Sequence, residues 1–193
     1  MYISSEIQNF NNFRKKYPKK ILSKSKSECN NTKVKYLYEY ILYIYYFSSD
    51  NGDFWYLGGG NNDIQLLINE FIAEDWNDLQ KDLTNWGSFH RDILIDAIPF
   101  GFDKMFSPSL NKDQIPFAGN FLLDLFDSYE EIELRSEISY FSFFINMSNS
   151  NQILKLENMK KWMLENGYDN DDWNKSPINP IGNINEAIKK ASS

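Results

Sequence analysis

The sequence predicts an all-α fold, built as an irregular bundle or as stacked αα-hairpins. Apolar residues recur at the i, i+3, i+4, i+7 positions of a helix face over most of the chain, while the period-two alternation of a half-buried strand is scarce. Short connections also join successive helical segments around 63–98, which places neighbouring helices antiparallel. No fixed period supports a regular repeat such as TPR or ankyrin. A chain of 193 residues fits one helical domain spanning 1–193 and can bury roughly 70% of the surface its unfolded form exposes. Aromatic residues make up 17% of it, and each buried ring removes about 150–250 Å² from water, so the core is expected to rest on aromatic packing.

Taken in order, residues 3–17 read as a helix with Ile7, Phe10 and Phe13 on one side, ended by Pro18. The segment KKILSKSKSECNN that follows is basic and rich in serine, the composition of a mobile linker over 18–31. Asn31 or Thr32 then caps a helix carrying Val34, Leu37, Tyr38, Ile41, Leu42 and Tyr45 at helical spacing. Its aromatic and β-branched content also permits a strand. Asp50, Asn51 and Gly52 favour a turn, Gly58–Gly60 loosen the backbone, and Asn62 or Asp63 caps a helix with Ile64, Leu67, Ile68, Phe71 and Ile72 on its apolar stripe.

Asp75 starts the next helix, with Trp76, Leu79 and Leu83 inward and Asp78, Lys81 and Asp82 outward. Ser88 caps another, buried through Phe89, Ile93, Leu94, Ala97 and Ile98 and stopped by Pro99. The stretch from Pro99 to Pro116 holds three prolines and three phenylalanines. A connection of that length is either packed by its aromatics or functional. Helices resume at 117–127, 129–146 and 151–166, the last closed by Gly167 as a C′ residue. Weak alternation in ELRSEISYFSFFI leaves a minor strand element open, and a short helix is possible at 184–191.

Charge is unevenly spread. Residues 47–154 hold 18 Asp and Glu against 5 Lys and Arg, residues 1–46 hold 9 basic against 3 acidic, and the whole chain is at −7. A stretch so acidic that also carries Trp55, Trp76 and Trp86 is too apolar to be a disordered tail, so it is expected to fold and present a negative face. Such a face draws a basic partner and repels nucleic acid and anionic membranes. The basic run from Arg14 to Lys35 could by itself contact phosphates, but a pI near 4.8 argues against it. Surplus acid for solubility is the competing explanation of the negative stretch. The grouping of Glu70, Glu74, Asp75, Asp78 and Asp82 beside the glycine loop, with Glu130, Glu131, Glu133 and Glu137 later, favours a partner.

Chemical motifs are sparse. Cys29 is the single cysteine and His90 the single histidine, so an internal disulfide and a structural zinc site are both ruled out. A Cys29–His90 pair would need two unrelated segments to meet. Asp50 and Asp53, and Asp169, Asp171 and Asp172, crowd turns without EF-hand spacing, so no metal is expected. Gly58–Gly60 fits neither phosphate-loop pattern, no cofactor is implied, and 27 acidic residues offer no way to choose a catalytic pair. The N-terminus lacks the apolar stretch and cleavage site of a secretory signal. The longest apolar run, Tyr40 to Phe47, is eight residues where a spanning helix needs about 20. A soluble, cytoplasmic, non-enzymatic protein is the expectation.

The segment DWNDLQKDLTNWGSFHRDILIDAIPFG, with Trp76, Leu79, Leu83, Trp86, Arg91, Leu94 and Ile98 over two short helices, resembles the helix pairs of HEAT-like bacterial immunity proteins. These are partners of contact-dependent-inhibition and other polymorphic toxins. The resemblance covers 63–98 together with the general composition, and it carries no invariant functional motif. It implies a protein that neutralises a cognate toxin domain, a basic nuclease, by occluding its active site without catalysis. Contacts are then expected at Glu70, Glu74, Asp75, Asp78 and Asp82, with Trp55 and Tyr56 as aromatic anchors. A helical adaptor for another basic partner and a carboxylate-metal enzyme are the alternatives.

Overall fold

A computed structural model describes residues 4–48, 59–100, 110–140, 142–147 and 152–193. Among these, twelve α-helices and no strand are present, so the all-α expectation holds and the minor strand element is not found. The chain divides into two compact units, Met1–Gly101 and Phe102–Ser193.

The N-terminal unit contains α1 (Ser5–Lys16), α2 (Pro18–Leu22), α3 (Thr32–Phe47), α4 (Gly60–Ile68), α5 (Ala73–Asp82), a 3-10 turn at Leu83–Asn85, and α6 (Ser88–Phe100). Helix α3 is its axis: every residue from Tyr38 to Ile44 is buried. That explains why its sequence also reads as a possible strand, since a helix enclosed on all sides is apolar all round rather than along one stripe. Around it, α1 contributes Phe10, which meets Tyr36 and Tyr40 edge-on at 5.0 and 5.5 Å. Trp86 stacks on Tyr38 at 4.4 Å.

Consecutive helices do not simply pair. Helix α4 lies chiefly against α6, and the side chain of Gln65 donates to the Ala97 carbonyl at 2.7 Å. Helix α5 instead packs on α3. Its Asp75 and Asp82 are both tied to residues 27–33, which draws α5 to the start of α3. The segment expected as a linker is therefore structured at both ends. Pro18 sits at the first position of α2, where its missing N–H costs nothing, and residues 27–31 are anchored to α5.

Two helix starts differ from the sequence reading. Helix α4 begins at Gly60, after Gly59 in the left-handed region at φ 93°, and Asp63 turns inward to Ser4 and Tyr40 rather than capping. Helix α5 begins at Ala73, placing Asp75 in its first turn. Asn31 does cap α3, accepting from the N–H groups of Lys33 and Val34.

The C-terminal unit contains α7 (Ile115–Ser128), α8 (Ile132–Tyr140), α9 (Phe143–Met147), α10 (Ile153–Glu165), α11 (Asp171–Lys175) and α12 (Pro180–Ala191). Helices α7 and α12 hold it together, α7 meeting α8, α9 and α10, and α12 meeting α9, α10 and α11. The helix expected over 129–146 is two helices, α8 and α9. Helix α10 ends in a Schellman motif: Gly167 is left-handed at φ 82°, its N–H bonds the Leu164 carbonyl, and the Tyr168 N–H bonds that of Met163 at 3.0 Å.

Candidate functional site

The acidic residues singled out in the sequence fall into two groups. Asp75 and Asp82 are 5% and 4% exposed, so the expectation that they contact a partner is corrected: both are consumed inside the unit. The Asp75 carboxylate accepts the Ile72 N–H at 2.8 Å, Lys33 Nζ at 2.8 Å and Asn31 Nδ2 at 2.8 Å. Asp82 accepts the Ser27 hydroxyl, the Glu28 N–H at 3.0 Å, Asn85 Nδ2 at 3.2 Å and the indole N–H of Trp86 at 3.0 Å. Burial alone would raise both carboxyls. Hydrogen bonds from Lys33, Asn31 and Ile72 to Asp75, and from Ser27, Trp86, Asn85 and Glu28 to Asp82, more than offset it and hold both below the usual range. Both carboxylates are thus fixed negative charges over the physiological range.

The second group faces solvent. Glu70 and Glu74 are exposed, and neither side chain has a cationic partner among the described residues. Asp78 is half-buried, accepting from Asn31 Nδ2 at 3.1 Å and lying 3.5 Å from Lys81. Beside it, Glu28, Cys29, Asn31, Asp78, Lys81 and Asp82 line an open cleft of about 310 Å³. Three carboxylates against one ammonium make it negative. Trp55 and Tyr56 lie outside the described residues. Glu130, Glu131 and Glu133 are exposed at the start of α8, in the C-terminal unit.

Asn31 is the joint that sequence reading undervalued. One atom of its amide, Oδ1, caps α3, while Nδ2 reaches both Asp75 and Asp78 on α5. The capping half is legible as Asn before an apolar periodic run. The cross-helix half depends on where α5 comes to lie.

The single cysteine and the single histidine are both drawn into the packing of the N-terminal unit. Burial, with Asp82 and Asp78 nearby, pushes the Cys29 thiol up, against the Asn31 N–H that it accepts, so a reactive thiolate is disfavoured. His90 is buried among Tyr38, Tyr45 and Phe89, and neither of its ring nitrogens has a hydrogen-bond partner among the described residues. Burial, aided by Lys26, holds its pKa below 6.5. No group of three or more His, Cys, Asp or Glu poised to hold a metal occurs among the described residues, and none of their helices is long and apolar enough to cross a membrane.

A third internal carboxylate, Asp63, accepts hydroxyls from Ser4 at 2.8 Å and Tyr40 at 2.5 Å. Burial raises its pKa despite both hydrogen bonds. Asp63, Asp75 and Asp82 all belong to the acidic tally of the sequence, yet none projects into solvent. The chain matches no protein-family model, and no curated protein or solved structure is significantly similar to it.

Proposed function

We propose that the chain is a non-catalytic binding protein that captures a basic protein partner, and that this partner is a cognate toxin domain which the chain neutralises as an immunity protein. The observation behind this reading is the face formed by the start of α5 and the adjoining cleft. Glu70 and Glu74 stand exposed without ion pairs among the described residues, Asp78 and Glu28 rim the cleft, and buried Asp75 and Asp82 fix the backbone that carries them. Carboxylates held on a rigid element meet the Lys and Arg of a partner with little ordering cost, which speeds association and gives specificity. The competing explanation, surplus acid for solubility and for the positive end of α5, accounts for Glu74 in the first turn but not for the cleft.

The test is a pull-down with tagged protein from its host's lysate, at low and moderate salt, alongside the double reversal Glu70→Lys/Glu74→Lys. The reading predicts one stoichiometric basic partner that survives moderate salt, is toxic when expressed alone, and is released by the double reversal. A stoichiometric basic partner without toxicity would make the chain an adaptor. Binding that ignores the reversal, or only weak mixed partners that vanish as salt rises, refutes the acidic face as the binding site.

A further inference from the structure

A different cavity lies in the same unit, on the basic side. Asn11, Arg14, Lys15, Pro18, Leu22 and Glu39 are among the residues that line a pocket of about 350 Å³. Its central group is prepared rather than merely present. Glu39, 3% exposed on the axial helix α3, holds Arg14 Nε at 2.6 Å, and the guanidinium carbon lies 5.4 Å from the centre of the Tyr36 ring. Tyr36 donates its hydroxyl to Asn11 Oδ1 at 2.8 Å, which leaves the Asn11 Nδ2 as a donor. Among the described residues, neither terminal nitrogen of Arg14 has a hydrogen bond. A guanidinium gripped at Nε and backed by a ring presents its outer edge, which is the edge that takes a carboxylate in a bidentate contact.

The remaining wall is apolar. Pro18 and Leu22, the latter 52% exposed, line the same pocket as the donors. Arg14, Lys15 and Glu39 together sum to one positive charge, which one monoanion neutralises. A phosphate dianion would face Glu39 with twice the repulsion and leave the Leu22 wall uncovered. We propose that this pocket binds a carboxylate attached to an aliphatic group, taken by Arg14, Lys15 and Asn11 at the head and by Pro18 and Leu22 along the chain. A small amphiphilic acid and an acidic peptide side chain next to an aliphatic residue share that chemistry. The site is independent of the acidic face and stands or falls separately from it.

The experiment is an NMR titration of the full chain with octanoate, octylamine, inorganic phosphate and the capped dipeptide N-acetyl-Leu-Glu-amide. Octanoate is expected to shift the Arg14 side-chain N–H and the amides of Lys15 and Leu22, and octylamine to leave them unmoved. Tighter binding of the dipeptide than of octanoate identifies a peptide ligand, and the reverse identifies a free acid. Lys15→Gln, at an exposed position, and Leu22→Ser should each weaken octanoate binding at least threefold. Arg14→Gln/Glu39→Gln, which removes the pair without stranding a buried charge, should abolish it. The proposal is overturned if octanoate produces no shifts at millimolar concentration, if octylamine shifts the same resonances, if phosphate binds more tightly than either acid, or if Lys15→Gln and Leu22→Ser both leave affinity unchanged.

Discussion

Replacing Asp82 by Asn tests the inference that this carboxylate is a structural acceptor rather than a contact residue. One carboxylate oxygen accepts from Ser27 and Trp86, the other from Glu28 and Asn85. An Asn has one acceptor and one NH2, so one pair of donors must meet nitrogen. Ser27 can rotate its hydroxyl and Asn85 can flip its amide, but the indole N–H of Trp86 and the backbone N–H of Glu28 cannot become acceptors. Either orientation therefore strands one obligate donor, costing about 1–3 kcal/mol. The two surviving bonds also lose charge assistance. The expected total is about 2–4 kcal/mol, a large share of the roughly 5–15 kcal/mol that holds a domain folded.

Urea unfolding followed by circular dichroism at pH 7 measures it. The sign with pH adds a second check. The folded pKa of Asp82 lies below the ordinary 3.8, so its contribution is complete above that value and is lost as pH falls through the folded pKa. The gap between parent and Asp82→Asn should therefore narrow in acid. A loss under about 0.5 kcal/mol at pH 7, the size typical of an ordinary surface substitution, would refute the reasoning and return Asp82 to the candidate contacts.

Asp63→Asn should behave in the opposite way. The folded pKa of Asp63 is raised by burial, so the parent loses stability as pH climbs through that raised value. The Asn variant, whose Oδ1 can accept both the Ser4 and Tyr40 hydroxyls, should lack that decline and be at least as stable at pH 7 by urea midpoint. His90, held neutral by burial with Lys26 as the charged group facing it, should make stability fall as pH drops below 6.5 toward the lowered folded pKa. His90→Phe should flatten that part of the profile, and an unchanged profile would show that the ring is not the titrating group.

How far the sequence can be read depends on the range of the forces involved. Helical periodicity and caps are local, so α3 with Asn31 or Thr32 as its cap, and α10 to within two residues with Gly167 after it, were legible in the sequence. The division of 129–146 into α8 and α9 was not, because continuous helical periodicity does not reveal a break that packing imposes on the backbone. The clearest limit is the candidate face. A tally gives Asp63, Asp75, Asp78 and Asp82 equal weight with Glu70 and Glu74, since a carboxylate counts the same wherever its side chain ends.

What the sequence by itself determined is the helical class, most helix positions, a core resting on aromatic packing with Tyr38 among its rings, and too few Cys and His for a structural zinc site. Those follow from periodicity, capping and composition. Only the tertiary structure decided which charges remain for a partner. It brought Ser27, Asn31 and Lys33 against α5 and Ser4 and Tyr40 against Asp63, across separations in sequence that no local pattern encodes. It also set Glu39 behind Arg14. Burying a carboxylate is costly without donors, and the places where the fold supplied donors are the places where the apparent acidic surface disappeared.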